Sequence, residues 1–161
     1  DGGVFAFGDA TFRGSTGAIT LNEPIVDMAV TDSGRGYWLA ASDGGVFAFG
    51  DARFRGSTGA ITLNEPMVSI ASGVDGYWMV ARDGGVFTFG VSFLGSLPGL
   101  VLEQSALADG LRIRSIDDGD GYLVLTADGA LFGFGSAASL GSAAIQLLPG
   151  ERAVDLLLLG D

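Results

Sequence analysis

The 161-residue chain contains no cysteine, no histidine and no lysine. Without cysteine there is neither a disulfide framework nor a thiolate metal site. Without histidine and lysine as well, a Ser-His pair, an activated thiolate, a Schiff base and an imidazole-rich metal centre are all excluded. Positive charge is scarce too: eight arginines stand against nineteen acids, a net charge of −11. A phosphate-backbone binder needs a basic stripe, so nucleic acid is not an expected partner. No apolar run approaches the roughly eighteen residues needed to cross a bilayer. The densest, "AVDLLLLG" at 153 to 160, is the size of a strand, and no membrane insertion is expected.

What the chain has in abundance is repetition. "DGGVFAFG" begins at Asp1 and returns at Asp43, and relatives of it begin at Asp83 ("DGGVFTFG") and Asp128 ("DGALFGFG"), giving periods of 42, 40 and 45 residues. Residues 1 to 24 match 43 to 66 at every position but one, where Thr11 stands against Arg53. Such identity points to recent duplication, and a period of this length marks a repeat architecture.

Within residues 25 to 66, short apolar runs alternate with Gly, Asp and Ser clusters. This pattern predicts strands at Ile25 to Val30, Tyr37 to Ala41 and Val46 to Phe49, with a short fourth at Arg53 to Gly56. "SDGG" supplies the Asp-Gly pair that tolerates positive φ in a tight hairpin. The long return "STGAITLNEP" suits a unit that meanders outward and travels back to start beside its predecessor. Four short antiparallel strands per repeat describe a propeller blade, so the expected fold is all-β, a β-propeller-like array of four-stranded blades. Only "LVLEQSALADGLRI" at 100 to 113 leaves room for a helical turn.

The combination "DGGVFAFGDARFRGS", then "PMVSIAS" and "GYWMVARDGG", resembles the tandem repeats of secreted and cell-surface proteins of actinobacteria, which are often attached to a hydrolase module. The resemblance covers essentially the whole chain and is sharpest in its first half; "GYLVLTADGALFGFG" lacks the Trp and the second Gly of the motif. It implies a propeller-like array with an extracellular or cell-surface location. It carries no residue-level rule for a ligand.

In this phase the chain reads as one repeat domain: a partial blade at 1–24 (third and fourth strands), blades at 25–66, 67–111 and 112–152, and the first strand of a further blade at 153–161. The second strand of the blade shared between the two ends is absent, which leaves unpaired backbone edges. Expected consequences are that the chain belongs to a longer array, or that another chain completes it, with self-association through the incomplete blade.

Most conspicuous residues have a structural role as their simplest explanation. Phe5, Phe7, Phe47, Phe49, Phe87, Phe89, Phe132 and Phe134 recur at equivalent strand positions, as sheets packed face to face require. Trp38 and Trp78 could stack on a sugar, but the third copy places Leu123 there, which keeps packing and abolishes stacking. Asp117, Asp118 and Asp120 suggest a calcium loop, yet the downstream bidentate Glu is missing and the segment aligns with simple strand connections, so no metal is expected. Asp9 and Asp51 read as turn or capping groups.

Only carboxylate pairs remain for catalysis. Glycoside hydrolysis runs on two acids about 5 to 10 Å apart, and Glu23, Glu65, Glu103 and Glu151 are candidates. Glu23 and Glu65 occupy equivalent repeat positions, however, which fits duplicated surface loops better than an acid and a base in contrasting environments. The leading expectation is a non-catalytic module, without cofactor, that binds a glycan, a cell-wall component or a protein. The long returns and Asp-Gly hairpins share one end of a meander, making Asn22, Glu23, Asn64 and Glu65 the candidate ligand-binding residues. The rival from another class is a structural spacer or assembly unit.

Overall fold

The computed structural model describes residues 1–100, 107, 111–116, 119–137, 147–148 and 150–157. The apolar runs of the second repeat become β1 (Ile25–Val30), β2 (Gly36–Ala41) and β3 (Val46–Gly50). The next repeat forms β4 (Met67–Gly73), β5 (Gly76–Ala81) and β6 (Val86–Phe89), and the next β7 (Arg112–Ser115), β8 (Gly121–Leu125) and β9 (Leu131–Gly135). Each trio is a separate three-stranded antiparallel sheet with its second strand in the middle. The architecture is all-β. The expected strands at 25 to 30, 37 to 41 and 46 to 49 form within one residue of their limits.

Local chemistry closes each hairpin. Gly45 N–H donates to Asp43 Oδ1 at 2.9 Å, Gly85 N–H to Asp83 Oδ1 at 2.9 Å and Ala130 N–H to Asp128 Oδ1 at 3.1 Å. These Asx turns let the carboxylate do what a backbone carbonyl does in a turn. Gly44 adopts a φ of 81°, and a Cβ there would fall 1.7 Å from Thr58 Oγ1, so both the backbone and the crossing return demand glycine.

Strand alternation explains the "GYW" motif. Successive side chains point to opposite faces, so Tyr77 and Trp78 send their rings to different neighbours. One core holds Trp38 and Ala40 from the first sheet with Tyr77, Met79 and Ala81 from the second. The next holds Trp78 and Val80 with Ile113, Tyr122 and Val124. Each Trp therefore faces the following repeat and each Tyr the preceding one. Ring centroids lie 5.3 Å apart for Trp38–Tyr77 and 5.2 Å for Trp78–Tyr122, tilted at 52° in both cases, as aromatic pairs prefer. Trp38 and Trp78 are buried, which supports their expected role in packing. The first strands follow one another side by side, β1 against β4 and β4 against β7.

The fourth strand does not form: residues 53–56 lie outside every sheet, so the units are three-stranded rather than four-stranded. Side chains have taken the backbone groups that a fourth ladder would use. Trp38 Nε1 donates to Arg53 O at 2.9 Å, Tyr77 Oη donates to Gly56 O at 2.6 Å, and Arg55 N–H donates to Tyr77 Oη at 3.2 Å. Residues 1–24 likewise contain no strand, against the expectation of two, because Val4 to Gly8 have no ladder partner among the described residues.

Phenylalanine burial also departs from expectation. Phe5 and Phe7 are 81% exposed, while Phe47, Phe49, Phe87, Phe89, Phe132 and Phe134 are half-buried. They are flank residues of the core, since the middle strands take the sealed positions: all six residues of β2 and of β5 are buried. Residues 153–157 carry no strand assignment, although Ala153 N–H donates to Ala127 O at 2.9 Å much as Met67 N–H donates to Ser42 O at 2.8 Å. Most of the segment considered for a helical turn, and Asp117 and Asp118 of the aspartate cluster, lie outside the described residues.

Candidate functional site

The returns are fastened beneath the hairpins. Thr58 N–H donates to Gly44 O at 3.2 Å, Ile61 N–H turns back to Thr58 O at 2.9 Å, and Ser42 N–H donates to Pro24 O at 3.0 Å. These bonds place the end of one return beside the hairpin of the following sheet. Two clefts result. One, of about 200 Å³, is lined by Leu21, Asn22, Glu23, Asp43 and Phe47 among others; the second, of about 310 Å³, by Glu23, Asp43, Ile61, Leu63, Asn64 and Glu65. Glu23 and Asp43 border both.

The structure thus brings Glu23, Asn64 and Glu65 to one cleft and puts Asn22 in the adjoining one, at the end shared by returns and hairpins. Asn22, Glu23 and Asn64 are exposed and Glu65 is half-buried. Carboxylate acceptors, amides with both donor and acceptor atoms, and apolar walls from Leu63 and Phe47 can accept a polyhydroxylated or peptide surface.

A second polar group escaped sequence reasoning. Asp27, Ser69, Arg114 and Asp155 occupy the same place, the third residue of the first-strand run in four successive copies ("IVD", "MVS", "RIR", "AVD"). The fold gathers them together. Asp27 Oδ2 accepts from Ser69 Oγ at 2.5 Å, from Ile70 N–H at 3.1 Å and from Arg114 Nη1 at 3.3 Å, while Arg114 Nη2 donates to Asp155 Oδ1 at 2.8 Å. Ser69 Oγ also accepts from Arg114 Nη1 at 3.2 Å and from Ile113 N–H at 3.3 Å. The signal was present as polar residues recurring inside apolar runs at the repeat period. A cleft of about 500 Å³ beside this set is lined by Met28, Val30, Ile70, Ser72, Arg114 and Leu157 among others. Both ends of the Arg114 guanidinium are engaged, so the arrangement locks the first strands together.

At the opposite end of the sheets, a fourth cleft of about 330 Å³ includes Thr31, Ser33, Asp51, Arg53, Arg55 and Asp75. Asp51 accepts from Ser33 Oγ at 2.6 Å and Thr31 Oγ1 at 2.9 Å, with Arg35 Nε at 3.5 Å. The Ser33 hydrogen bond leads in holding this carboxyl below its usual range; desolvation opposes it, and Thr31 and Arg35 assist. Asp51 is therefore a cap for the β1–β2 connection, as read from sequence. Arg53, the one residue distinguishing the duplicated blocks, lines this cleft.

Among the described residues, no group of three or more acidic side chains is placed to hold a metal, and no helix is long and apolar enough to cross a membrane. No protein-family model matches the chain, and no curated protein sequence is significantly similar to it.

Proposed function

We propose that this chain is a non-catalytic binding module, a β-propeller-like array on a secreted or surface protein, that recognises a glycan, a cell-wall component or a protein partner. The observation carrying this reading is the convergence of Glu23, Asn64 and Glu65 on one cleft, with Asn22 beside it, on loops held by backbone hydrogen bonds to the hairpins. Loops carried on a rigid sheet scaffold are the usual place for recognition. The propeller-like arrangement is supported by first strands in sequential contact and by sheets that pack face to face through an alternating Tyr and Trp.

The test is binding of the purified chain to a panel of glycans and cell-wall fragments, and to immobilised surface-protein extracts, repeated with Glu23→Gln and Asn64→Ala. Saturable binding that both substitutions weaken is expected. Saturable binding that neither affects would remove these loops from the site; no saturable binding on any surface would refute the module.

A second reading has its own support. The motif residues "GYW" and the Gly that follows "FR" are spent on repeat-to-repeat packing, which is what a structural spacer requires. Extended, rod-like particles without ligand in small-angle scattering would favour it.

A further inference from the structure

The cleft of about 330 Å³ at the seam between the first two sheets is where the duplication was broken. Arg53 lines it and stands where the otherwise identical block has Thr11. Arg55, two residues on, lines it as well. The seam between the second and third sheets carries neither arginine. There Trp78 Nε1 donates to Ser92 O as Trp38 Nε1 does to Arg53 O, and Tyr122 Oη donates to Gly95 O as Tyr77 Oη does to Gly56 O. Ser92 and Leu94 therefore hold the places of Arg53 and Arg55.

The backbone that carries the two arginines is fixed before any ligand arrives. Trp38 Nε1 holds Arg53 O at 2.9 Å, while the Tyr77 hydroxyl accepts from Arg55 N–H at 3.2 Å and donates to Gly56 O at 2.6 Å. The stem of Arg55 lies over Gly90, where an added Cβ would fall 3.0 Å from Arg55 Cγ. Such a platform lowers the ordering cost of binding. Most charges in the cleft are already committed. Asp51 accepts from Ser33 and Thr31 and faces Arg35; Arg55 Nε donates to Asp75 O at 2.7 Å, and its Nη2 lies 3.7 Å from the Asp75 carboxylate. Arg53 is the exception: it is exposed, and its guanidinium has no hydrogen-bond or ion-pair partner among the described residues. Asp32 beside it is exposed and equally uncommitted, and the Thr31 and Ser33 hydroxyls, having donated to Asp51, keep lone pairs as acceptors.

We infer that this cleft is a binding site for a uronic-acid residue of an acidic glycan, with the sugar carboxylate on Arg53 and its hydroxyls donating to Asp32, Thr31 and Ser33. A guanidinium fork matches a carboxylate bidentately. One uncommitted cation among acceptors calls for a ligand with one negative charge surrounded by hydroxyl donors. An acidic peptide brings neighbouring carboxylates toward Asp32, Asp51 and Asp75 with few donors to offer them, and inorganic phosphate brings charge without the array of hydroxyls. Trp38, though part of the lining, is only 5% exposed, so recognition is polar and not by ring stacking. The volume is at the small end for ligand clefts, the size of a single recognised sugar unit and its neighbours. The site lies at the opposite end of the sheets from Glu23 and Asn64 and requires neither.

Calorimetric titration of the full chain with trigalacturonic acid tests this, with its methyl ester, triglutamate and inorganic phosphate as comparison ligands. Saturable one-to-one binding of trigalacturonate is expected, tighter than that of any of the other three. Arg53→Thr restores the residue of the duplicate block at an exposed position, so folding is preserved, and should weaken binding by about tenfold or more. Arg53→Lys keeps the charge but loses the fork, and should fall between the two. Arg152→Thr, which removes an exposed arginine elsewhere, should leave binding unchanged. Absence of saturation, equal binding of the uncharged ester, or equal loss with Arg152→Thr would each overturn the proposal. So would undiminished binding to the Arg53→Thr protein, or tighter binding of triglutamate or phosphate, which would make the occupant a peptide or a simple anion.

Discussion

Replacing Tyr77 by Phe removes one oxygen from the seam between two repeats and leaves every ring contact in place. That hydroxyl donates to Gly56 O at 2.6 Å and accepts from Arg55 N–H at 3.2 Å, in a side chain that is fully buried. The ring keeps Trp38 at 5.3 Å and Phe89 at 5.5 Å. A net hydrogen bond stabilises by about 0.5 to 1.5 kcal/mol, and two are lost together, so a cost of about 2 kcal/mol is expected. For a chain of this size about 2 to 4 °C of Tm goes with each kcal/mol, which gives a fall of roughly 4 to 8 °C. Near-UV circular dichroism during thermal unfolding reports the transition through Trp38 and Trp78. Tyr37→Phe is the control: its hydroxyl donates to Gly14 O at 2.5 Å but accepts from Arg13 N–H only at 3.4 Å, and it anchors a segment without strands. Its effect should be smaller. If Tyr77→Phe melts within a degree of the wild type, or Tyr37→Phe costs more, the hydroxyl clasp does not hold the repeats together.

Two further outcomes follow from polar groups that are half-buried or buried. Arg114→Met strips Asp27 of its cationic partner, and because the Arg114 and Asp27 side chains retain 25% and 16% exposure, the cost should be about 2 to 3 kcal/mol, below that of a fully buried pair; equal stability in urea denaturation would show that this polar set contributes nothing. Burial raises the Tyr77 and Tyr122 phenols above 10.0, more than their backbone hydrogen bonds lower them. A raised folded-state pKa gives stability that is complete below the unfolded value and lost as pH rises through the folded one. Unfolding should therefore set in above about pH 10, with tyrosinate absorbance at 295 nm tracking loss of the near-UV signal; ionisation of Tyr77 and Tyr122 before any loss of structure would contradict this.

The sequence alone determined what depends on neighbours in the chain. Asp43 with Gly44, and Asp83 with Gly84, specify hairpins because one carboxylate and one left-handed glycine suffice, and the repeat period then counts the units. The apolar runs at 25 to 30, 37 to 41 and 46 to 49 became strands for the same reason: alternation is a local property. The placement of the returns beside the hairpins was also legible, since a meander puts both at one end, and Glu23, Asn64 and Glu65 line a cleft there.

Tertiary structure decided the rest. Arg53 to Gly56 has the composition of a strand, but two of its carbonyls and one amide are bonded to the side chains of Trp38 and Tyr77, which belong to two different sheets. Phe7 and Phe49 sit in identical octapeptides, yet one is exposed and the other half-buried, because burial belongs to the strand alongside and not to the residue. Asp27, Ser69, Arg114 and Asp155 look like isolated polar interruptions until the first strands come side by side. A side chain's free energy in a repeat array is set by the face its neighbour presents, and that neighbour lies some forty residues away.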